Sequence, residues 1–296
     1  MAWLDFLLGR PLASGEEKSE RLGTLSGVPI FGLDALGSAA YGPEAALTLL
    51  IPLGIGGIHY IVPIMIVIIA LLGIVYFSYR QTIAAYPQGG SSYVVARQNL
   101  GNFAGLLAGT ALMVDFVLVV AVGVAAGIGA LASAIPSLQT HTLFLCLLVL
   151  VLITFVNLRG ITTTGAVFMF PTYFLIVCLL VVLGIGLARM LLSGGHPTAI
   201  VPPPRPSTAA VQMAGAWLIL RSFANGCTAM TGVEAVSTGI TAFRDPRVKI
   251  AGRTLSFIIG VLAVLLAGIA WICRAWPPDP DSRNTKPYSR WSPQPW

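Results

Sequence analysis

The sequence predicts an all-α membrane protein with about seven transmembrane helices, arranged as an incomplete inverted repeat in which helices 1 and 6 are broken. Three observations predict this fold. Hydrophobic residues make up 56% of the 296 residues and charged residues only 9%, well below the quarter that is usual in soluble domains. The apolar residues form long segments, and the first and sixth of these segments share a motif.

Seven apolar segments are long enough to cross the hydrocarbon layer, which takes about 20 residues of helix. Because backbone in lipid must satisfy its own hydrogen bonds, we expect each segment to be helical. A charged leader at 1–27 precedes them and lacks the pattern of a cleavable signal peptide. The expected bounds are 28–52, 59–84, 102–134, 142–158, 165–192, 212–242 and 250–274.

The segments divide into two repeats. The first five-helix repeat would occupy 28–192, and helices 6 and 7 at 212–274 would begin the second. A proline-rich connection at 193–211 would lie outside the cell. Residues 275–296 are rich in Pro, Trp and Ser and cannot form a spanning helix. We expect this tail to be aberrant, the product of a truncated or frameshifted reading frame.

Basic residues favour alternate loops. They precede segment 1 and follow segments 2, 4 and 6, whereas the short loops after segments 1 and 3 have none. Because Lys and Arg concentrate on the cytoplasmic side of a membrane, we expect a cytoplasmic N-terminus and a location in the bacterial cytoplasmic (inner) membrane. The net charge is +6, but there is no basic stripe with interleaved aromatics, so we expect no nucleic acid partner.

A short repeat links segments 1 and 6. Residues 41–45 (YGPEA) match residues 231–235 (TGVEA) at a spacing of 190 residues. Five segments separate the starts of the two copies, so the second copy is inverted. Paired, glycine-interrupted helices in an inverted repeat indicate a transporter binding site at the membrane midplane. The alternative is close helix packing through small residues, which does not account for the carboxylate in each copy.

Four carboxylates lie within apolar segments, with no Lys or Arg at comparable depth: Asp34, Glu44, Asp115 and Glu234. A charge at the middle of the bilayer costs at least about 2.5–3.5 kcal/mol on insertion scales. Such a group persists when it pairs, takes up a proton or binds a cation. Without a basic partner, protonation and cation binding are left. Glu44 follows Gly-Pro and could instead cap a half-helix.

A hard monovalent cation takes oxygen ligands from carboxylates, hydroxyls and carbonyls. The segments offer such oxygens at Asp34, Tyr41, Asp115 and Thr231, which we predict to bind the cation or substrate. Glu234, three residues after Thr231 and on the same helix face, is the predicted proton-coupling residue. Taken singly, Thr231 could bond back to its own helix and Tyr41 could be an ordinary amphipathic aromatic.

Four motifs carry a family resemblance: residues 34–44 (DALGSAAYGPE), 86–93 (YPQGGSSY), 112–115 (LMVD) and 226–235 (GCTAMTGVEA). Over about residues 22–274 the chain resembles the amino acid–polyamine–organocation (APC) superfamily, and within it the KimA-type potassium–proton symporters. The resemblance implies a LeuT/APC-type five-plus-five inverted repeat, with potassium coordination and proton coupling at the five residues just named. Val119 departs from it, because potassium-transporting relatives tend to have threonine there.

The leading hypothesis is a secondary transporter that takes up potassium together with protons, K+ and H+ being its ions, without a cofactor. An amino acid permease of the same superfamily is the runner-up, and a non-transporting truncated fragment is the third alternative. The chain has no phosphate-binding loop, nucleophile elbow or metal-ligand spacing, so we expect no enzymatic activity. The expected partners are the lipid bilayer and a small cation or amino acid, with a homodimer as one candidate assembly.

Overall fold

The computed structural model describes residues 21–50, 57, 59–158, 161–194 and 216–275, without the side chains of 161–164 and 274–275. Throughout these ranges the chain forms α- and 3-10 helices and no β-strand. Residues 1–20 of the predicted leader, 195–211 of the proline-rich connection and 276–296 of the tail lie outside the described residues, and the first described helix begins at Thr24, within the predicted leader. Their assignments, like the boundaries of the two repeats, stay predictions.

The described residues contain ten α-helices, numbered here in chain order. They are α1 (Thr24–Phe31), α2 (Leu33–Leu50), α3 (Ile61–Ala85), α4 (Ser92–Leu100), α5 (Asn102–Ala134), α6 (Thr142–Leu158), α7 (Ile161–Leu192), α8 (Ala216–Gly226), α9 (Ala235–Thr238) and α10 (Arg247–Ala275). Short 3-10 helices lie at Pro136–His141, Cys227–Met230 and Ile240–Ala242.

Five helices among the described residues are long and apolar enough to cross a membrane: Ile61–Ala85, Asn102–Ala134, Pro136–Leu158, Gly165–Leu192 and Arg247–Cys273. They correspond to predicted segments 2, 3, 4, 5 and 7. Segments 1 and 6 are absent from this set, because the pieces of segment 6 are too short and the 18-residue helix α2 of segment 1 is less apolar. Segment 1 bends at Gly32, between α1 and α2, and segment 6 is divided into α8, two 3-10 turns and α9. The predicted all-helical fold with broken helices 1 and 6 is therefore confirmed.

The helix α4 was not among the predicted segments. It is too short and too polar to span a membrane, and it begins at Ser91, whose hydroxyl accepts a hydrogen bond from the Val94 amide at 3.3 Å. A serine N-cap of this kind satisfies one of the free amides at a helix start. The helix packs on α5, where Gly105 lies against the Arg97 side chain. The loop before α4 is bonded to segment 6, because the Gly90 amide donates to the Ser237 carbonyl at 3.0 Å.

Segments 1 and 6 pack against each other in opposite directions along their described length. At one end the Ser222 hydroxyl donates to the Ala46 carbonyl at 2.9 Å. In the middle the buried Ser38 hydroxyl donates to the Ala229 carbonyl at 3.1 Å. At the other end the Leu22 amide donates to the Ala242 carbonyl at 2.8 Å. The antiparallel pairing is what an inverted repeat requires of its first helices.

The buried core lies where segments 1 and 6 pack with α3 and α10. Its fully buried members include Leu36, Met65, Ile240 and Leu262. In contrast, α5, α6 and α7 present long apolar faces outward, and α6 has no buried residue. Large exposed apolar faces of this extent suit a lipid environment, in which they need no protein cover. The structure therefore combines a packed four-element bundle with an outer group of lipid-facing helices.

Gly42 provides a test of the close approach between segments 1 and 6. A Cβ added at Gly42 would lie 2.8 Å from the Ala229 backbone nitrogen, whereas a Cβ at Gly37 of the same helix would meet nothing within 4 Å. We expect Gly42→Ala to lower stability by about 1–3 kcal/mol through overpacking. Gly37→Ala should be neutral or slightly stabilising, since alanine has the higher helix propensity. Thermal unfolding in detergent measures both, and equal midpoints would contradict the close packing.

Candidate transport site

The interruption of segment 6 places backbone and side-chain oxygens at the middle of the bundle. Helix α8 ends at Gly226, a 3-10 turn follows, and the chain then turns through Thr231–Glu234 before α9 begins. Gly232 has φ of +78°, a left-handed conformation that side chains other than glycine adopt at a cost of roughly 1–2 kcal/mol. Glycine at this position therefore allows the chain to leave the helical path.

A cavity of about 470 Å³ opens beside this turn. Its lining combines three predicted site residues with polar and apolar neighbours from α3, α4 and α5. The lining residues are Asp115, Thr231, Glu234, Tyr79, Ser92, Ala108, Ala111, Leu112, Cys227 and Met230. The structure thus gathers residues that are more than a hundred positions apart in the sequence around one space.

Asp34 of α2 lies against the turn at Gly232. Its side chain is half-buried and packs on Gly232, where an added Cβ would lie 2.7 Å from the Asp34 Cγ. The carboxyl group is within electrostatic range of Glu234 and Asp115. Three carboxylates from segments 1, 3 and 6 therefore form one electrostatic group.

Tyr41 and Thr231 connect the two broken segments on the same side. The Tyr41 side chain interacts with the Thr231 side chain and lies within electrostatic range of Asp34. The Thr231 hydroxyl donates its proton to the Thr228 carbonyl at 2.9 Å, as the alternative for a single threonine anticipated. Because the hydroxyl proton is used in this bond, the Thr231 oxygen can act only as an acceptor toward its other neighbours. It can accept from Tyr41 or contact a cation.

The remaining acids differ from one another in their surroundings. Asp115 lies in the middle of α5 and faces the cavity. Glu234 occupies the N-cap position of α9 but makes no side-chain capping bond, so its carboxyl group is available to the cavity. Glu44 is exposed and lies inside the continuous helix α2. The suggestion that Glu44 caps a half-helix is therefore wrong, because the helix does not restart at Gly42–Pro43.

The charges of this group are not balanced by basic residues. In the part of the chain that the structure describes, the ion pairs join Asp245 to Arg21 at 3.0 Å and to Arg247 at 3.4 Å. Asp34, Asp115 and Glu234 take part in none of them. Like charges this close disfavour one another's ionisation. A bound proton would remove part of this negative charge, and a bound cation would balance it.

Two polar residues that line the cavity were not predicted from the sequence. Tyr79 of α3 lies within electrostatic range of both Glu234 and Asp115, and Ser92 stands in the first turn of α4. Ser92 belongs to the quoted YPQGGSSY motif, so that motif was the available signal. Nothing in the apolar run around Tyr79 distinguishes it from an ordinary interfacial tyrosine, because its role depends on which helix faces it.

Two broken, antiparallel helices that meet beside an acidic cavity, within a set of long apolar helices, are typical of integral membrane permeases. The sequence profile of the amino acid permease family matches residues 30–276, and the chain belongs to this family, which is part of the APC superfamily. It is also 36% identical over 280 residues to the "Potassium transporter KimA" of Bacillus subtilis (strain 168). That alignment covers 93% of this chain and 45% of the relative, so the chain spans less than half of the relative's length.

Gly232 provides a test of the site geometry. We expect Gly232→Ala to destabilise the protein by roughly 1–2 kcal/mol through backbone strain, and to displace the Asp34 carboxyl group that its Cβ would overlap. Gly123→Ala in α5 is the matched control, because a Cβ there meets nothing within 4 Å. Thermal unfolding compares the two variants. A Gly232→Ala protein as stable as the control would show that the turn does not need its left-handed residue.

Proposed function

We propose that this protein takes up a small monovalent cation, potassium in the first place, together with protons. The observation that carries the proposal is the group formed by Asp34, Asp115 and Glu234, which has no basic partner among the described residues. Carboxylates in a membrane interior mark ion pathways and proton relays. A cation bound among them would remove the repulsion that they otherwise exert on one another.

The geometry suggests a division of roles. Asp34 and Asp115 would supply charge to the cation, and Tyr41 and Thr231 would supply neutral oxygens from the two broken segments. Glu234 would take up and release the coupled proton, since it lines the same cavity and has no capping bond to hold it. Alternating access would follow from movement of the bundle that contains segments 1 and 6 against the outer helices.

The printed name of the relative supports potassium, and the shared residues extend over most of this chain. The carboxylate and hydroxyl oxygens of Asp115, Thr231 and Glu234 in the cavity support it as well, because potassium replaces its water ligands with carboxylate, hydroxyl and carbonyl oxygens. Since less than half of the relative's length is present here, the transport activity, substrate and assembly of the whole protein are all part of the proposal. No enzymatic step, cofactor or nucleic acid is needed for it.

An amino acid substrate is the second candidate, and the family description favours it. The ammonium group of an amino acid could bind to Asp34, but its carboxylate would enter a cavity that already holds Asp115 and Glu234. The repulsion would oppose binding unless a free helix amide compensates it. A bare cation experiences no such conflict, which is why we rank it first.

The distribution of basic residues supports a cytoplasmic N-terminus, in the inner membrane of a bacterium. Arg21 lies at the same end of the bundle as Asp245, and Arg80 lines a groove with Lys249 and Arg253. The opposite end has Arg189, Arg221 and Arg274 among the described basic residues, fewer than the basic end. Positive charge concentrates on the cytoplasmic side of membrane proteins, so we assign the basic end to the cytoplasm.

Replacement of Asp34 tests the cation site. We expect rubidium, a substitute for potassium, to stabilise the purified chain against heat, and Asp34→Asn to weaken rubidium binding at least about tenfold, equivalent to about 1.4 kcal/mol. Glu44→Gln is the matched control, since Glu44 is an exposed acid of the same helix. Thermal shifts with rubidium and with a panel of amino acids provide the measurement.

Two outcomes would count against a potassium site. Equal rubidium affinity in the Asp34→Asn and wild-type proteins would remove Asp34 from the site. A thermal shift with an amino acid such as alanine or lysine, without a shift from rubidium, would move the amino acid substrate to first place.

Replacement of Glu234 tests the proton coupling. In proteoliposomes we expect an inward proton gradient to drive rubidium accumulation by the wild-type chain. Glu234→Gln should retain downhill rubidium exchange but lose the response to the gradient, because glutamine cannot titrate. A variant that still accumulates rubidium in proportion to the gradient would show that another group carries the proton.

A further inference from the structure

A second cavity lies at the basic end of the bundle, between the C-terminal part of α3 and the first turns of α10. Its volume is about 530 Å³. Arg80 from α3 and Lys249 and Arg253 from α10 line it, with Ser256 beside them. No carboxylate is among its lining residues, and none of them lines the acidic transport cavity.

A chain of hydrogen bonds holds the Arg80 side chain across the groove. The Arg80 guanidinium donates to the Tyr76 hydroxyl at 3.1 Å, and the Tyr76 and Ser256 hydroxyls are hydrogen-bonded at 2.9 Å. Ser256 in turn donates to the Gly252 carbonyl at 2.8 Å. The Ser256 proton is used in the bond to the Gly252 carbonyl, and the Tyr76 oxygen accepts from Arg80. Tyr76 must therefore donate its own proton to Ser256. One edge of the guanidinium is thereby anchored to α10, and its remaining N–H groups stay available.

The other basic residues at this end of the bundle are engaged differently. Arg21 and Arg247 both pair with Asp245, and Arg244 donates to the Arg21 carbonyl at 2.6 Å. Among the described residues, Lys249 and Arg253 have no hydrogen bond or ion pair. Three positive charges therefore converge on the groove, and no described residue neutralises them.

Stability of α10 does not account for these charges. Lys249 and Arg253 stand in the first two turns of the helix, where the helix dipole is positive and disfavours cations. The general preference for basic residues on the cytoplasmic side explains why Lys249 and Arg253 are positively charged. It does not explain why both line the same groove as Arg80, which is held by hydrogen bonds. An anion placed in the groove would satisfy the free donors and offset the unfavourable dipole.

On the side of the groove that is nearer the membrane interior, the exposed surface of α3 and α10 is apolar. Phe77 of α3 is 63% exposed and Phe257 of α10 is 41% exposed. Gly73 and Gly260 lie further along, and an added Cβ would meet nothing within 4 Å at either one. The helices that form the groove therefore also present exposed apolar side chains and unfilled glycine positions beyond it.

We propose that this groove binds an anionic phospholipid, with the phosphate on Arg80, Lys249 and Arg253 and an acyl chain along the surface between Phe77 and Phe257. Arginine is suited to phosphate because its planar donor fork matches two phosphate oxygens. The adjoining apolar surface favours a lipid over a free phosphate ion, which would leave that surface unused. The inference does not depend on which solute the acidic cavity takes.

The purified chain in a neutral detergent, titrated with short-chain phosphatidylglycerol, phosphatidylcholine or inorganic phosphate, tests the site. Thermal stabilisation and native mass spectrometry report binding. We expect phosphatidylglycerol to bind and the other two to bind far more weakly. Each of Arg80→Gln, Lys249→Gln and Arg253→Gln should weaken phosphatidylglycerol binding about fivefold, the effect of one basic residue at a membrane surface.

Two further variants separate the groove from general effects of charge and folding. Arg189→Gln removes an exposed positive charge at the end of α7, near the opposite end of α10, where the Trp271 indole donates to Met190. It should leave phosphatidylglycerol binding unchanged. Tyr76→Phe keeps every charge and removes the tether of Arg80, so it should weaken binding without altering the response to rubidium.

Three results would overturn the proposal. One is equal phosphatidylglycerol binding by wild type and the three groove variants. Another is an equal loss in Arg189→Gln, which would indicate a diffuse charge effect. The third is inorganic phosphate that binds as tightly as phosphatidylglycerol, which would make the groove a site for free anions.

Discussion

The close antiparallel contact between segments 1 and 6 is the interaction on which the rest of this structure depends. Gly42 and Ala229 allow the two backbones to approach, and Ser38 and Ser222 hydrogen-bond across the interface. The contact supports two interruptions that would be costly in lipid, because polar backbone groups there have no water to bind. It also sets the Gly232 turn against Asp34, and so decides where the acids of the two segments meet.

The molecule separates two electrostatic environments along the membrane normal. The middle holds three mutually repelling carboxylates, two of which line a cavity with polar and apolar walls. The basic end holds two arginines paired with Asp245 and a second basic set, Arg80, Lys249 and Arg253, that is not paired with an acid among the described residues. Helix α3 contributes to both, through Tyr79 and the adjacent Arg80. Adjacent residues on a helix point about 100° apart, so one helix can present a neutral hydroxyl to the acidic cavity and a guanidinium to the outer groove.

The two environments also suit different kinds of ligand. A group of acids without basic partners suits a ligand that arrives and leaves, because its charge is balanced only when a cation or proton is bound. A group of bases at the interface, beside exposed apolar surface, suits a lipid component that stays. The proposed transport site and the proposed lipid site thus follow from the same rule, that charge near lipid requires a partner.

Particular residues show how far sequence reasoning reached. The acids Asp34, Asp115 and Glu234 were found because a carboxylate in an apolar segment is costly wherever it lies, and the structure brings them together with Tyr41 and Thr231. The bend at Gly32 lies outside the first matched motif, but the interruption of both segments and the turn at Gly232 were anticipated from the motifs. Tyr79, the helix α4 and the continuity of α2 through Gly42–Pro43 were not.

The sequence by itself determined that most of the chain lies in lipid, where the apolar segments are, that segments 1 and 6 are interrupted, and which acids lie within the apolar segments. Hydropathy and charge along a chain are sufficient for these properties, because the bilayer imposes its thickness and its low polarity on every segment. Only the tertiary structure decided which residues share a cavity, that Glu44 lies apart from it, and that Arg80 reaches across to α10. Those relations depend on the rotation and approach of packed helices, which periodicity within one segment does not specify.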